Sequence, residues 1–337
     1  MGKLRPGWVG GPAILSYTSP VTAPSPHIVE PTRWDAIDVA RGAAIVAMIS
    51  YHFAWDLSFL QLAPIRVVGD PGWNAFARGI AGSFLALAGL GLSLAHAQGF
   101  RRRAFLSRLA KVGGAALAVT LATFLAFPDS YVFFGILHAI AVCSILALPF
   151  LKAPIWVVAA TAVLCFAAPR LLTAPAFDHP VLDWLGLGSR DPVTNDYVPV
   201  FPWFGPVLIG LAIGRTVLRR RTAPSVARWR AESSAAQLLA WAGRKSLLIY
   251  LIHQPVLLAA LMGVLQFAGP HPEAQARAFL QQCTAECLGT GSVGFCRATC
   301  ACVVDRLRES GGFRRGASED QSRISSLAQA CLRVDPP

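Results

Sequence analysis

Charged residues are scarce in this chain, and acidic residues are scarcer than basic ones. Of its 337 residues only 14% are charged, whereas a soluble globular domain carries about 25%. The chain therefore has too few charged side chains to cover the surface of a soluble protein of this size. Its 54% of hydrophobic residues exclude general disorder. This composition predicts an integral membrane protein in contact with a lipid bilayer.

The excess of basic residues does not indicate a nucleic-acid-binding protein. The chain has 30 Lys and Arg against 18 Asp and Glu, which gives a formal net charge of +12. These basic residues lie in clusters between long apolar runs rather than along one surface that could follow a phosphate backbone. We therefore predict no nucleic-acid partner and interpret the clusters as signals for orientation in a membrane.

The N-terminal segment lacks a continuous apolar core. Residues 1–32 contain six prolines, and this pattern differs from that of a secretory signal peptide. We interpret 1–32 as a flexible N-terminal tail. The expected domain division is this tail, a transmembrane domain at 33–267 and a Cys-rich segment at 268–337.

Long apolar runs dominate the rest of the chain. An α-helix needs about 20 apolar residues to cross a bilayer, and each run has roughly that length. The predicted fold class is all-α: a polytopic membrane helix bundle of about seven transmembrane helices, plus a small helical Cys-rich C-terminal segment. The predicted spans are 36–60, 73–98, 107–127, 131–151, 154–172, 201–218 and 246–267, of which the fifth is the weakest.

The charges of the loops predict the orientation. The connections at 99–111 and 215–245 are strongly basic, whereas 173–200 has four aspartates against one arginine. Because basic loops stay in the cytoplasm, seven spans place the N-terminus inside and the C-terminal segment outside. Orientation and contact with anionic lipid account for the basic loops. Attraction of a polyanionic ligand such as coenzyme A is a secondary interpretation.

The first predicted span carries four ionisable side chains. They are Asp38, Arg41, His52 and Asp56. Since successive residues are about 100° apart, the four lie on one stripe over roughly 27 Å of helix. Such groups in a membrane helix are functional candidates, so the stripe predicts one wall of a polar path, with Asp56 holding the His52 ring. The structural alternative is an Asp38–Arg41 ion pair and a His52 bonded to a neighbouring helix.

Two further histidines lie inside predicted spans. His138 is in the fourth and His253 in the seventh. Either residue alone is explained by a buried, hydrogen-bonded histidine of the core. Together with His52 they favour a cavity shared by three spans. His96, at the end of the second span, is interpreted as interfacial.

Small residues mark one face of the second span. They recur at helical spacing from Gly79 to Ser93. Such a face is typical of close helix packing in membranes rather than of a catalytic site.

Six of the eight cysteines lie in the C-terminal segment. They comprise Cys283 with Cys287, Cys296 with Cys300, and the separate Cys302 and Cys331. Residues at i,i+4 share one face of a helix, and the glycines between the two pairs predict a turn. We expect a helical hairpin in which each disulfide joins one cysteine of the first pair to one of the second, with the separate two as a third disulfide. A zinc site of four thiolates is the alternative.

Several ordered motifs resemble a known family. They are Arg33 with Asp38, Arg41-Gly42, Tyr51-His52 and Trp55-Asp56-Leu57; Gly82-Ser83-Phe84 with Ala88-Gly89; Phe134-Gly135-Ile136-Leu137-His138; Phe201-Pro202-Trp203-Phe204-Gly205 with Gly214-Arg215; and Gly243-Arg244-Lys245 leading into Tyr250-Leu251-Ile252-His253-Gln254-Pro255. Over about residues 33–265 the chain resembles the bacterial branch of the heparan-α-glucosaminide N-acetyltransferase catalytic-domain family. The spacing of Arg41 and His52 also resembles that of membrane acyltransferases that O-acetylate bacterial surface sugars.

The resemblance implies a membrane acyltransferase of the bacterial inner membrane, multi-pass, with a cytoplasmic N-terminus and a periplasmic C-terminus. It implies transfer of an acetyl group from cytosolic acetyl-CoA to a sugar amine or hydroxyl of an exported or surface glycan. The candidate catalytic residues are His52, Asp56 and Asp70, the candidate donor-binding residues are Arg41, Asp38, His138 and His253, and no metal ligand is expected.

One departure from the family pattern affects the choice of base. In lysosomal members the catalytic histidine lies just ahead of a Trp-Asn pair. In this chain Asp70 stands near that place, before Trp73-Asn74. Either His52 is the base, or Asp70 is, or the protein does not acetylate amino sugars.

Two other functions remain open at this point. The stripe of the first span is also compatible with the relay of a proton-coupled transporter, although no internal repeat pairs the spans. A non-catalytic scaffold that presents the Cys-rich segment is the third hypothesis. For an enzyme, we expect Trp184 and Tyr197 of 173–200 to contact the acceptor. Assembly into a homo-oligomer is a further hypothesis.

Overall fold

Twelve α-helices make up the described part of the chain. The computed structural model describes residues 34–219, 223–289, 291–313 and 321–334, so the expected tail at 1–32 lies outside it. No β-strand occurs in these ranges, which confirms the all-α class. The helices are α1 (Asp35–Phe59), α2 (Pro71–Ala95), α3 (Arg102–Ala126), α4 (Ile136–Leu146), α5 (Ile155–Leu171), α6 (Val200–Arg219), α7 (Ala223–Arg228), α8 (Ser234–Arg244), α9 (Ser246–Ala268), α10 (Pro272–Cys287), α11 (Val293–Glu309) and α12 (Gln321–Val334).

Each predicted span corresponds to one apolar helix. Five helices, α1, α2, α3, α6 and α9, are long and apolar enough to cross a membrane, and α4 and α5 are shorter apolar helices. The fourth was expected from residue 131 but begins at Ile136. The preceding residues instead pair with the segment before α6, where Val198 N donates to Phe134 O at 3.1 Å. This pairing satisfies backbone groups that a helix would otherwise satisfy.

The main apolar core lies where α2, α4, α5 and α6 meet. Leu85 of α2, Val158 of α5 and Leu208 of α6 are all fully buried within it. Close contact between α2 and α6 depends on glycine. A Cβ on Gly89 would lie 1.9 Å from Val207 O, and one on Gly210 would lie 1.8 Å from Ala86 O. These helices therefore pack backbone against backbone, as small residues allow in membranes.

The small-residue face of α2 is only partly a packing face. Gly79 and Gly82, in the first half of the helix, have open space where a Cβ would be. The backbone-to-backbone contact of α2 with α6 lies in the second half, around Gly89.

An unexpected helix packs along α1. The sequence indicated only a basic connection at 215–245, but α8 forms there, and the Ser233 hydroxyl accepts a hydrogen bond from Ala236 N at its start. Two glycines permit the contact. A Cβ on Gly42 would lie 1.9 Å from Leu239 O, and one on Gly243 would lie 1.8 Å from Asp38 O. Helix α8 therefore fixes the first turns of α1.

The C-terminal segment folds as three helices around a small core of its own. Val303, Val304 and Leu307 of α11 are buried against α10 and α12. The six cysteines form the disulfides Cys283–Cys300, Cys287–Cys296 and Cys302–Cys331. This confirms the expected clasp and rules against the zinc alternative, because all six sulfurs are bonded in pairs. We call this segment the disulfide module (272–334), and none of the candidate spans lies in its described residues.

The disulfide module lies against the connection between α1 and α2. Two hydrogen bonds provide the contact. His271 N, in the residue just before the module, donates to Gln61 O at 2.8 Å, and the Arg277 side chain of the module donates to Pro64 O. Because this connection follows the last turn of α1, the module lies at the end of the bundle that contains Asp56.

Candidate functional site

The four ionisable side chains of α1 divide between its two ends. Near the N-terminus, Arg41 Nη1 lies 3.3 Å from Asp38 Oδ1, and the Asp38 side chain is buried. This ion pair is the i,i+3 contact that helical spacing allows. His52 and Asp56 lie near the other end of the helix. We call these the basic end and the acidic end of the site.

A pair of histidines forms the centre of the acidic end. The rings of His52 and His253, from α1 and α9, have centroids 5.0 Å apart. His253 Nδ1 lies 2.7 Å from Tyr250 O, and since a carbonyl only accepts, Nδ1 carries the hydrogen. In the neutral ring, Nε2 then has the free lone pair. It is buried and makes no hydrogen bond within the described residues, so it is available to a reacting group.

Asp56 is held by a different partner from the one expected. Its Oδ1 accepts a hydrogen bond of 2.6 Å from Gln254 Nε2. The expected hydrogen bond between Asp56 and the His52 ring is not present among the described residues. The other carboxylate oxygen is buried with no hydrogen bond in the described part of the chain. Asp56 is therefore held by the residue that follows His253 and not by the His52 ring.

Sequence reasoning missed Gln254 as a site residue. It stands 198 positions from Asp56 along the chain, so no local spacing links the two. The available signal was its position directly after His253, within the motif that resembles the family.

His138 uses both of its ring nitrogens. Thr120 Oγ1 donates to Val132 O at 2.7 Å, so it accepts from His138 Nε2 at 3.2 Å. His138 Nδ1 accepts from Gly135 N at 3.3 Å. These bonds match the structural interpretation of a satisfied buried histidine, and its donor-binding role remains a prediction.

Asp196 is a second residue that sequence reasoning did not single out. It lies before α6, and its Oδ2 accepts from Ile136 N at 2.9 Å, at the start of α4. The carboxyl is within electrostatic range of Tyr51 and Tyr250, which flank the histidine pair. Burial raises the pKa of Asp196, and the bond from Ile136 N opposes this shift. The acidic composition of 173–200 was its only signal.

Asp70 has a clear structural role. Its Oδ1 accepts hydrogen bonds from Gly72 N at 2.9 Å and Trp73 N at 3.0 Å. It is thus the N-cap of α2, a common use of aspartate at the start of a helix. Its proposed role as the base stays a prediction.

The two aromatic residues expected to contact the acceptor differ in exposure. Trp184 is 36% exposed, with its ring 6.2 Å from that of Phe134. Tyr197 donates its hydroxyl to Asp183 O at 2.6 Å. Burial raises the pKa of Tyr197 to about 12, and the charges of Asp183 and Asp191 act in the same direction. Tyr197 therefore remains a neutral hydrogen-bond donor at neutral pH.

These features define a class of protein. Several apolar helices of membrane-spanning length bring histidines and a carboxyl group together at one end of the bundle, with an Asp–Arg pair at the other. Such intramembrane polar groups are typical of membrane enzymes and transporters.

The family comparison separates these two classes. The family described as heparan-alpha-glucosaminide N-acetyltransferase, catalytic, matches residues 33–255. The chain belongs to this family and is a membrane acetyltransferase of the kind that acts on glycans. The match includes both ends of the site and stops before the disulfide module. Comparisons with curated proteins and with solved structures give no significant match.

Proposed function

We propose that the protein transfers an acetyl group from acetyl-CoA to an amine or hydroxyl of a sugar in an exported glycan. Acetyl-CoA reaches the basic end from the cytoplasm, and the sugar reaches the acidic end from outside. The protein lies in a bacterial inner membrane with its N-terminus in the cytoplasm and the disulfide module in the periplasm.

The observation that carries this proposal is the placement of both ends on α1. Arg41 and His52 are eleven positions apart, or about 16 Å along the helix. Arg41 suits the phosphates of coenzyme A because guanidinium binds phosphate oxygens in pairs. A donor bound there extends toward His52, where the acetyl group meets the acceptor.

The disulfide module supports the proposed orientation. Disulfides form and persist outside the cytoplasm. The module contacts the connection that follows α1, at the acidic end of the site. The acidic end therefore faces the oxidising side of the membrane, where an exported glycan is found.

The chemistry requires a base at the acceptor. In the proposed mechanism His52 takes the proton from the sugar amine or hydroxyl while that atom attacks the thioester carbonyl. The new bond to the acetyl carbon forms, the carbon–sulfur bond breaks, and coenzyme A leaves as the thiolate and is then protonated. The buried Asp56 carboxylate stabilises the imidazolium by its charge. His253 Nε2 is the second candidate for the base.

The deciding experiment uses inside-out membrane vesicles that contain the full-length protein. Radiolabelled acetyl-CoA is added outside the vesicles, at the cytoplasmic face, and label is measured on glycan inside. We expect label on the enclosed glycan, and none with sealed right-side-out vesicles, which keep the donor from the cytoplasmic face. Solute flux without acetylation would support a transporter. The absence of both acetylation and flux would support the scaffold hypothesis.

A further inference from the structure

Two arginines from different helices approach one point at the basic end. That point is beside Gly91 of α2, where a Cβ would be 2.9 Å from Arg41 Nη2 and 3.6 Å from Arg108 Nη1. These two distances put the nitrogens at most about 6.5 Å apart, a separation that one phosphate group with several acceptor oxygens can bridge by hydrogen bonds of about 2.8 Å. The absence of a side chain at Gly91 keeps this space open.

The two arginines differ in their partners. Arg41 is paired with Asp38. Arg108 of α3 makes no hydrogen bond or ion pair within the described residues, and the like charge of Arg41 acts on it. An unpaired guanidinium in partly buried surroundings is unfavourable unless an anion compensates it. The packing of the helices nevertheless places the Arg108 guanidinium near that of Arg41.

A histidine shares a cavity with Arg108. His96 and Arg108 both line a cavity between α2, α3 and α4, together with Phe105 and Ser144. His96 Nδ1 donates to Leu92 O at 2.8 Å, and its buried Nε2 has no hydrogen-bond partner in the described ranges. A histidine ring nitrogen can donate a hydrogen bond to an anion. This second unpartnered group also indicates an anionic ligand.

We propose that Arg41, Arg108 and His96 form a binding site for phosphate groups, and that it holds the phosphorylated end of the coenzyme A donor. The proposal rests on the proposed function and adds to it two residues from outside α1. It also gives the basic charge here a role beyond membrane orientation. The phosphate of an anionic lipid has the same chemistry, so the test separates the two sources.

The test measures binding to the full-length protein in nanodiscs of zwitterionic lipid. The probes are coenzyme A and pantetheine, which lacks the phosphates. We expect Arg108→Gln to weaken binding of coenzyme A on the order of tenfold or more and to leave pantetheine binding unchanged. His96→Ala should have a smaller effect in the same direction. The matched control is Arg102→Gln, an exposed arginine of the same helix, which should bind both probes like the wild type.

Several outcomes would overturn the site. If Arg108→Gln lost the same affinity for coenzyme A and for pantetheine, Arg108 would act only by stabilising the fold. Unchanged coenzyme A binding in Arg108→Gln would also overturn it, and if Arg108→Gln then loses anionic lipid, the phosphate belongs to the membrane. Wild-type transfer activity in Arg108→Gln would leave the proposed function standing without this site. Conversely, normal donor binding without any acetylated glycan would leave the site standing and overturn the proposed function.

Discussion

The helix bundle and the disulfide module are held together by different means. In the bundle, α2 and α6 meet at Gly89 and Gly210 with backbones in contact, and both bundle cysteines, Cys143 and Cys165, are free. In the module, three disulfides join three short helices around a few buried side chains.

This difference follows from the surroundings of each region. Lipid is as apolar as a helix surface, so helix association in a bilayer depends on close packing and polar contacts. A small unit in water buries too little apolar area to be stable by itself and commonly needs covalent links. The proposed chemistry lies entirely in the bundle. Substitutions in the bundle should therefore change activity without changing the stability of the module, and substitutions in the module should change its stability without affecting the bundle.

The largest expected effect is on catalysis in the bundle. His52→Ala should reduce acetyl transfer by about 10²–10⁴-fold, because the proposed base is lost, while membrane insertion and the stability of the module stay normal. The vesicle assay with radiolabelled acetyl-CoA measures this. His179→Ala is the matched control, since His179 is exposed in the segment before α6. Wild-type activity in His52→Ala would transfer the role to His253 or Asp70.

The next effect should be confined to the module. Cys302→Ser with Cys331→Ser opens a link that spans 29 residues, and removal of such a disulfide from a small domain costs about 2–5 kcal/mol of stability. Limited proteolysis should cleave the module faster, while α1–α9 stay protected. The single variant Cys302→Ser should lose as much as the double variant, since each breaks the same link. Faster cleavage of the bundle would show that the two regions unfold together.

A smaller effect should be confined to the bundle. Gly89→Ala introduces a methyl group 1.9 Å from Val207 O, and such overpacking costs about 1–3 kcal/mol. Thermal unfolding in detergent should show a lower midpoint than for the wild type. Gly82→Ala is the control on the same helix, because nothing lies near its added methyl. Equal midpoints for the two variants would argue against close packing of α2 on α6.

The smallest expected effect comes from substitutions of Asp70, which distinguish its role as a helix cap from a role in catalysis. Asp70→Ala removes the N-cap of α2 and should cost about 1 kcal/mol, measured by thermal unfolding. Asp70→Asn keeps a capping oxygen but removes the carboxylate, so it should retain both stability and transfer activity. A large loss of activity in Asp70→Asn, with normal unfolding, would instead make Asp70 the base.

Much of the fold was predictable because membrane helices leave a strong signal. The span predicted at 246–267 is observed as Ser246–Ala268, since an unbroken apolar run of this length has few other structures in lipid. The start of α4 was less accurate because residues before Ile136 pair with a distant segment. Helix α8 was missed because its basic neighbours suggested only a loop.

The candidate site was predictable along one helix and not between helices. Helical periodicity placed Asp38 and Arg41 in contact and put His52 and Asp56 on the same stripe. The partner of Asp56 could not be predicted, since Gln254 reaches it through the packing of α9 on α1. The hydrogen bond from Ile136 N, at the start of α4, to Asp196 depends in the same way on the path of the segment before α6.

The sequence by itself determined the membrane class, the existence of the seven apolar helices, the polar stripe of α1 and the grouping of the cysteines. These depend on apolar length and helical spacing, which are local properties of the chain. Only the tertiary structure decided which cysteine bonds which, that His52 faces His253, and that Arg41 and Arg108 flank Gly91. Those contacts join residues far apart in sequence, and their geometry is set by how closely the helices pack.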